Sequence, residues 1–280
     1  MTTPSAKGLA VSNIAWPADP ESRDEALRIL LDGGATGVEV APSLLFPDPA
    51  AASPDEITRA RSAFEAKGLP VVAMQALLFN RPNLKVFGSL EEQSALLGHL
   101  SAMARVASLL GARVLVFGSP KNRLKASLSA EQADEAAAPF FRELGRRAGD
   151  LGVVFGIEAN PPGYGGDWLT TFDEAADFVD RVASPGIALH GDAGGMIMSG
   201  QVPPSTTRSL AHHHASEPNL DPLTNRAEQE AIARWLAGSG HTGWISIEMR
   251  KPEANWQQAL RLAIQNARAS YASCLGNRVP

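Results

Sequence analysis

The feature that most constrains the fold of this chain is a regular alternation between strand-length apolar runs and helix-length segments. Most of the runs are continuously apolar, as expected of parallel strands covered on both faces. They occupy residues 9–15, 36–41, 69–76, 112–118, 152–158, 186–191, 208–214 and 243–248. An open doubly wound sheet would also alternate, but eight units in 280 residues favour closure, and no GxGxxG fingerprint follows the first run. The sequence therefore predicts an α/β fold, a (β/α)8 TIM barrel formed by a single domain over residues 1–280.

Repeated helix-start signals between the apolar runs support this prediction. Each is a capping box, in which serine or threonine is followed three residues later by glutamate or glutamine. The pairs are Ser22/Glu25, Ser53/Glu56, Ser89/Glu92, Ser129/Gln132 and Thr171/Glu174, with Asn225/Glu228 as a close relative. The unit at 192–208 contains MSGQVPPS and predicts a short or distorted helix.

Four side chains that could bind a metal lie at the C-terminal ends of the last four apolar runs. They are Glu158 (GIEAN), Asp192 (HGDAGG), His214 (HHHASE) and Glu248 (ISIEM). The C-terminal strand ends of a TIM barrel converge on one face, where active sites are found. Three carboxylates and one imidazole suit a hard divalent cation. The sequence therefore predicts a metal centre, and the alternative is a polar, hydrated barrel mouth.

The run of three histidines leaves a choice of ligand. Strand alternation puts His212 and His214 on one face and His213 on the other. His214 is the predicted ligand because it lies nearest the C-terminal face. Glu217 could reach back and orient its imidazole, as metal-bound histidines require. His190 and His212 are interpreted as hydrogen-bonded residues of the layer below.

Further polar and aromatic side chains are expected at the same rim. Lys121 and Arg123 follow the fourth run and suit a phosphate or carboxylate on the substrate, or else contact only water. Trp16 could lie against a sugar ring or pack in the core. Tyr164 belongs to a glycine-rich segment, 161–168, that could act as a lid, and segment 79–88 raises the same possibility on the opposite rim. The other candidates for substrate contact are Glu39, Gln75, Ser119, Asn160 and Glu217.

The composition constrains the cellular compartment and the classes of binding partner. A net charge of −5 argues against a nucleic-acid partner, and no run approaches the roughly 18 apolar residues that span a bilayer. The first residues lack the basic and apolar regions of a signal peptide. The single cysteine, Cys274, excludes an internal disulfide and is typical of a reducing compartment. We expect a cytoplasmic protein that binds neither nucleic acid nor membrane.

The motifs GIEAN, HGDAGG, HHHASE and ISIEM resemble the sugar isomerase/epimerase superfamily of xylose-isomerase-like barrels. The resemblance covers nearly the whole chain, and GVEVAP and AMQALLF are also typical of it. It implies a carbohydrate substrate and one divalent ion, commonly Mn²⁺ but also Co²⁺, Mg²⁺ or Zn²⁺, held by Glu158, Asp192, His214 and Glu248. It further implies that the two glutamates move protons on opposite faces of the substrate through an enediolate. Such barrels often pair through outer helices, which implies a homodimer or homotetramer.

Two positions depart from the pattern of ketose 3-epimerases, which carry a histidine three residues after the aspartate and an arginine six after the metal histidine. Gly195 and Leu220 take these places, so a free ketohexose is not the expected substrate. The expected reaction is isomerisation or epimerisation of a sugar, sugar phosphate or sugar acid, with Glu158 and Glu248 as base and acid. One alternative is metal-dependent dehydration of a keto-inositol. Others are a DNA-repair endonuclease of the same superfamily, which needs more than these six histidines and a basic face, and a non-catalytic sugar-binding barrel.

Overall fold

Eight parallel strands pair in chain order and close into a barrel in the computed structural model, which describes residues 7–205, 207–224 and 226–275. Closure joins the first strand to the last, with Gly8 opposite Trp244 and Val11 opposite Ile247. The predicted TIM barrel is confirmed. Its strands are β1 (Gly8–Ser12), β2 (Gly37–Val40), β3 (Val71–Met74), β4 (Val114–Phe117), β5 (Val154–Ile157), β6 (Ile187–Asp192), β7 (Leu210–Ser216) and β8 (Trp244–Glu248).

Helices follow the strands and cover the outside of the barrel. They are α1 (Pro20–Asp32), α2 (Pro54–Glu65), α3 (Leu90–Leu110), α4 (Ala130–Asp150), α5 (Phe172–Val182), α6 (Ala193–Met198), α7 (Ala227–Gly238), α8 (Trp256–Ser270) and α9 (Ala272–Leu275). The helix α6 is short, as the irregular segment at 192–208 predicts. Among the described helices, none combines the length and the apolar character that crossing a membrane requires.

The predicted helix starts are correct in four of the described cases. Ser53, Ser89 and Ser129 each form a complete capping box, and the Thr171 side chain accepts a hydrogen bond from the backbone of Glu174. The prediction for α1 is wrong, because Asp19 caps this helix and accepts a hydrogen bond from the Ser22 backbone N–H at 2.9 Å. Pro20 then takes the first helical position, where its fixed φ is favourable. Asn225 lies outside the described residues.

The barrel interior changes in character from one end to the other. A small apolar cluster that includes Ala10, Val72, Ala73 and Val114 packs among the strands. Nearer the C-terminal ends, the strands bury polar side chains instead, among them Glu39, Ser12, His190, His212 and Ser246. Buried polar groups are costly unless they have partners, so this end of the barrel is where function is to be sought.

Candidate metal centre

The four predicted ligands lie at the C-terminal end of the barrel. Asp192 and Glu248 end β6 and β8, and Glu158 directly follows β5. β7 runs two residues further than predicted, so His214 is not its last residue, although it pairs directly with Asp192 in the register. The carboxylates of Glu158, Asp192 and Glu248 line a cavity of about 300 Å³ that opens at this end.

The ligand atoms of Asp192, His214 and Glu248 are already within coordinating range of a common point. Nδ1 of His214 lies 3.1 Å from Oε2 of Glu248 and 3.8 Å from Oδ2 of Asp192. One atom from each of the three residues lies within 4.8 Å of the others. Glu158 meets the same limit with His214 and His190, so it joins the set through the shared imidazole.

Two hydrogen bonds hold the Asp192 carboxylate in place. Oδ1 accepts from the backbone N–H of Gly195 at 2.6 Å, which makes Asp192 the N-cap of α6. Oδ2 accepts from the Ser216 hydroxyl, whose oxygen in turn accepts from the backbone N–H of Gly194 at 2.8 Å. Both carboxylate oxygens are therefore held by the protein itself, one by α6 and the other by β7.

Glu39 orients the imidazole of His214 from inside the barrel. Nε2 of His214 lies 3.1 and 3.0 Å from the two carboxylate oxygens of Glu39, and Nε2 of His212 lies 3.4 Å from one of them. Although burial alone raises the pKa of Glu39, the charges of His214 and His212 hold that pKa well below its ordinary value. With Nε2 committed to Glu39, Nδ1 of His214 is the nitrogen that faces the carboxylates.

This arrangement corrects two predictions. Glu39, expected to contact substrate hydroxyls, is fully buried beneath the cavity and binds histidines instead. Glu217, expected to orient His214, accepts hydrogen bonds from the Thr224 hydroxyl at 2.7 Å and from Nη1 of Arg226 at 3.1 Å. Glu217 directly follows the end of β7, and its two hydrogen bonds fix the loop after that strand.

Replacing Glu39 by glutamine should weaken binding of Mn²⁺ by about 10- to 100-fold, the usual effect of removing the carboxylate that orients a metal-bound histidine. The measurement is the dissociation constant for Mn²⁺ by isothermal titration calorimetry. Glu217→Gln is the matched control, since it removes one equally buried carboxylate that does not contact His214. Equal affinities for the two variants would contradict the orienting role of Glu39.

The electrostatics of the cavity fit a divalent cation. Burial, followed by the charges of Asp192 and Glu248, raises the pKa of Glu158 to about 8. Burial and the charge of Glu248 raise the pKa of Asp192 to about 6. Burial and mutual repulsion favour the protonated forms of Glu158 and Asp192, and a divalent cation placed beside them would reverse that effect. The oxygen-rich donor set with one imidazole nitrogen suits ions such as Mn²⁺, Co²⁺, Mg²⁺ or Zn²⁺.

The two cations predicted to bind a substrate anion do not line this cavity. Lys121 is exposed. Arg123 is buried below the rim, where Nη2 donates to the backbone oxygen of Glu158 at 2.6 Å and the guanidinium lies 5.9 Å from the Trp168 ring centroid. Burial lowers the pKa of Arg123 to about 10, which leaves it charged at neutral pH. Arg123 therefore fixes the end of β5 and supplies positive charge near Glu158.

Four of the predicted substrate contacts do line the cavity. They are Gln75, Ser119, Asn160 and Tyr164. Nε2 of Gln75 donates to the Ser12 hydroxyl, while Oδ1 of Asn160 has no partner among the described residues. The Tyr164 hydroxyl accepts from the backbone N–H of Asn219 at 3.2 Å, so a short turn after β5 meets the loop after β7. Burial raises the pKa of Tyr164, and its hydroxyl keeps its proton. Trp16 is buried in the core and lies outside the cavity lining.

Sequence reasoning missed several lining residues, among them Arg250 and Leu220, and misjudged the side chain of His190. Arg250 lines the cavity and lies two residues after Glu248, so alternation along IEMR could have placed it on the same side. Leu220 also lines it, in a left-handed conformation (φ 60°) that no local motif indicates. The interpretation of His190 as a hydrogen-bonded residue is wrong, because neither ring nitrogen has a partner among the described residues. Its ring centroid lies 4.3 Å from that of His214.

Comparison with known proteins agrees with the fold. The sequence profile of the xylose isomerase-like TIM barrel family matches residues 27–266. A sequence comparison with curated proteins gives no match.

Solved structures resemble this chain over almost its whole length. D-Psicose 3-epimerase, crystallised in the presence of D-fructose, is 14% identical with a TM-score of 0.74, over 94% of this chain and 99% of that one. The IOLI protein with a bound zinc atom is 14% identical with a TM-score of 0.72, over 95% and 99%. The 3-keto-D-glucoside 4-epimerase YcjR from E. coli is 15% identical with a TM-score of 0.65, over 94% and 99%. At these identities the likeness establishes a shared fold.

Proposed function

The chain belongs to the xylose isomerase-like TIM barrel family, and on that premise we propose that it is a divalent-metal-dependent isomerase or epimerase of a carbohydrate. One observation carries the proposal: the carboxylates of Glu158, Asp192 and Glu248 line one cavity at the C-terminal end of the barrel, and Nδ1 of the oriented His214 imidazole lies against two of them. Several solved structures that share the fold are sugar epimerases, which supports the same reaction class.

Glu158, Asp192, His214 and Glu248 would hold the ion, which we propose to be Mn²⁺. A divalent cation at this place supplies Lewis acidity, which acidifies the C–H beside a carbonyl and stabilises negative charge on the neighbouring oxygens. Asp192 and His214 are both held by hydrogen bonds from the chain, so they serve to position the ion. Neither needs to exchange a proton during the reaction.

Glu158 and Glu248 are proposed to move the protons. They come from β5 and β8, three strands apart around the barrel, so their carboxylates approach a bound substrate from different sides. One glutamate takes the proton from the carbon beside the carbonyl, giving an enediolate, and the other returns a proton to the opposite face. Oδ1 of Asn160 is available to accept from a substrate hydroxyl, and Tyr164 and Arg250 line the cavity as possible donors.

The test is a panel of ketoses, aldoses, their phosphates, ketoglycosides and a keto-inositol, each incubated with the protein and Mn²⁺ in deuterated water. We expect one class of substrate to gain deuterium at a single carbon beside its carbonyl, detected by NMR, and the exchange to stop when EDTA removes the cation. A product lighter by one water would instead establish a dehydratase. Exchange with none of the classes would favour a binding protein and overturn the proposal.

A further inference from the structure

The middle histidine of the HHH run faces away from the metal centre but is connected to it by buried hydrogen bonds. His212 and His214 contact Glu39 inside the barrel, whereas Nε2 of His213 lies 3.1 Å from the hydroxyl oxygen of Tyr271. Tyr271 directly follows α8 and is fully buried. A buried tyrosine hydroxyl normally has a hydrogen-bond partner, and the second partner of this hydroxyl leads back towards β7.

Gln229, on α7, joins Tyr271 to the end of β7. The Tyr271 hydroxyl donates to Oε1 of Gln229 at 2.7 Å, and Nε2 of Gln229 donates to the carbonyl oxygen of Ser216 at 2.7 Å. Burial raises the pKa of Tyr271 well above its ordinary value, so its hydroxyl keeps the proton that it donates. Gln229 is fully buried and both ends of its amide have partners, so its neighbours fix its orientation.

Ser216 lies between two of the proposed metal ligands. Its hydroxyl donates to Oδ2 of Asp192, and its backbone pairs with that of Glu248 in the register of β7 and β8. Gln229 therefore holds, from outside the barrel, the residue whose side chain holds Asp192. Three successive hydrogen bonds connect the Tyr271 hydroxyl to the Asp192 carboxylate by way of Gln229 and Ser216.

This network, formed by Tyr271, Gln229 and Ser216, differs from the support that Glu39 gives to His214. Glu39 acts on the imidazole from inside the barrel, whereas the network acts on a carboxylate from α7 and from the end of α8. All three members of the network are 0% exposed, so a lost partner is not replaced by bulk water. Because the two kinds of support act on different ligands, the effects of removing them should be separable.

We propose that Gln229 and Tyr271 are positioning residues of the metal centre, which fix Ser216 and, through its hydroxyl, the carboxylate of Asp192. This rests on the metal centre of the proposed function. Neither residue lines the cavity, and neither is proposed to touch the cation or the substrate. The packing of α7 against the end of α8 thereby becomes part of the cation site. A change at this contact should reach Asp192 while the set of ligands stays the same.

The experiment measures the dissociation constant for Mn²⁺ by isothermal titration calorimetry in three variants, at a temperature well below their unfolding. We expect Ser216→Ala, which removes a direct partner of a metal ligand, to weaken binding by about 10- to 100-fold. Tyr271→Phe removes one oxygen and acts through two other residues, so it should weaken binding by about three- to tenfold. Gln229→Met removes both amide contacts and should lie between the two.

A double-mutant cycle tests the path from Tyr271 to the cation. If Tyr271 acts through the Ser216 hydroxyl, Tyr271→Phe should have no further effect on Mn²⁺ affinity in Ser216→Ala, whereas its effect should multiply with that of Glu39→Gln. The same loss of affinity with and without the Ser216 hydroxyl would overturn the proposed path. A purely structural role for Tyr271 lowers stability in every background and predicts no such coupling.

Cys274→Ala is the matched control. Sγ of Cys274 donates to the carbonyl oxygen of Ala233 at 3.0 Å, a buried contact between α9 and α7 that involves neither Gln229 nor Ser216. This variant should lower the midpoint of thermal unfolding and leave Mn²⁺ affinity unchanged. Unchanged affinity in Tyr271→Phe, or an equal loss in Cys274→Ala, would overturn the proposal alone. Absence of Mn²⁺ binding by the unaltered protein would overturn the metal centre together with it, and solvent exchange in the substrate panel tests the reaction separately.

Discussion

Replacing Glu158 or Glu248 by glutamine is expected to lower kcat for epimerisation by about 10²- to 10⁴-fold, since the carboxamide cannot accept a proton. Each variant keeps one glutamate, so one epimer of the substrate should still exchange its carbon-bound proton with deuterated water while the other does not. The two variants should show opposite preferences, because the glutamates come from strands on different sides of the cavity. The measurement is deuterium incorporation into each epimer by NMR at saturating Mn²⁺.

Each substitution also removes one of the proposed metal ligands. Saturating Mn²⁺ keeps the site occupied, so that the measurement reports proton transfer rather than metal affinity. Glu217→Gln is the control for loss of a buried carboxylate at the same end of the barrel, and it should exchange both epimers normally. Identical behaviour of the two variants towards both epimers would exclude a two-base mechanism.

Gly118→Ala is expected to reduce kcat by at least about 100-fold with little change in stability. A Cβ atom on Gly118 would lie 2.1 Å from Oε2 of Glu158, so the carboxylate must move out of its position. A displacement of about 1 Å in a catalytic group has effects of this order. The clash falls on the end of a flexible side chain, and Gly118 has no left-handed φ, so the free energy of unfolding should change by less than about 1 kcal/mol.

Gly98→Ala is the matched control for this substitution. Gly98 lies on the exposed side of α3, and a Cβ atom there would meet no other atom within 4 Å, so activity should be unchanged and stability slightly higher. The readouts are kcat with the substrate found in the panel and thermal unfolding by circular dichroism. Full activity in Gly118→Ala would show that the observed position of Glu158 is not the catalytic one.

The barrel and the set of strand-end ligands were predictable because both depend on short-range patterns. The continuously apolar runs indicate strands that are buried on both faces. In a parallel barrel the C-terminal ends of all strands lie at the same end, so the residue that ends each run is expected there. The ends of β6 and β8 could therefore be placed from Asp192 and Glu248 alone. The extension of β7 by two residues did not change which face His214 occupies.

The surroundings of the ligands were not predictable in the same way, because they depend on the paths of loops and on contacts between distant residues. Alternation puts Glu39 inside the barrel but does not give its depth, and its histidine partners lie more than 170 residues away. Arg123 and Lys121 are close in sequence, yet a short turn after β4 buries one and exposes the other. The sequence is equally consistent with Trp16 at the ligand site and in the core, and only its packing in the structure distinguishes the two positions.

The pair formed by Glu39 and His214 also bears on the order of events during folding. These residues lie on β2 and β7 and are 175 residues apart, so their hydrogen bonds cannot form until most of the chain has been ordered. Contacts of such long sequence separation carry a high loop-closure entropy and form late. In a partly folded barrel, the His214 imidazole is therefore not yet oriented by Glu39. Binding of the proposed cation at an oriented His214 would have to follow closure of the barrel.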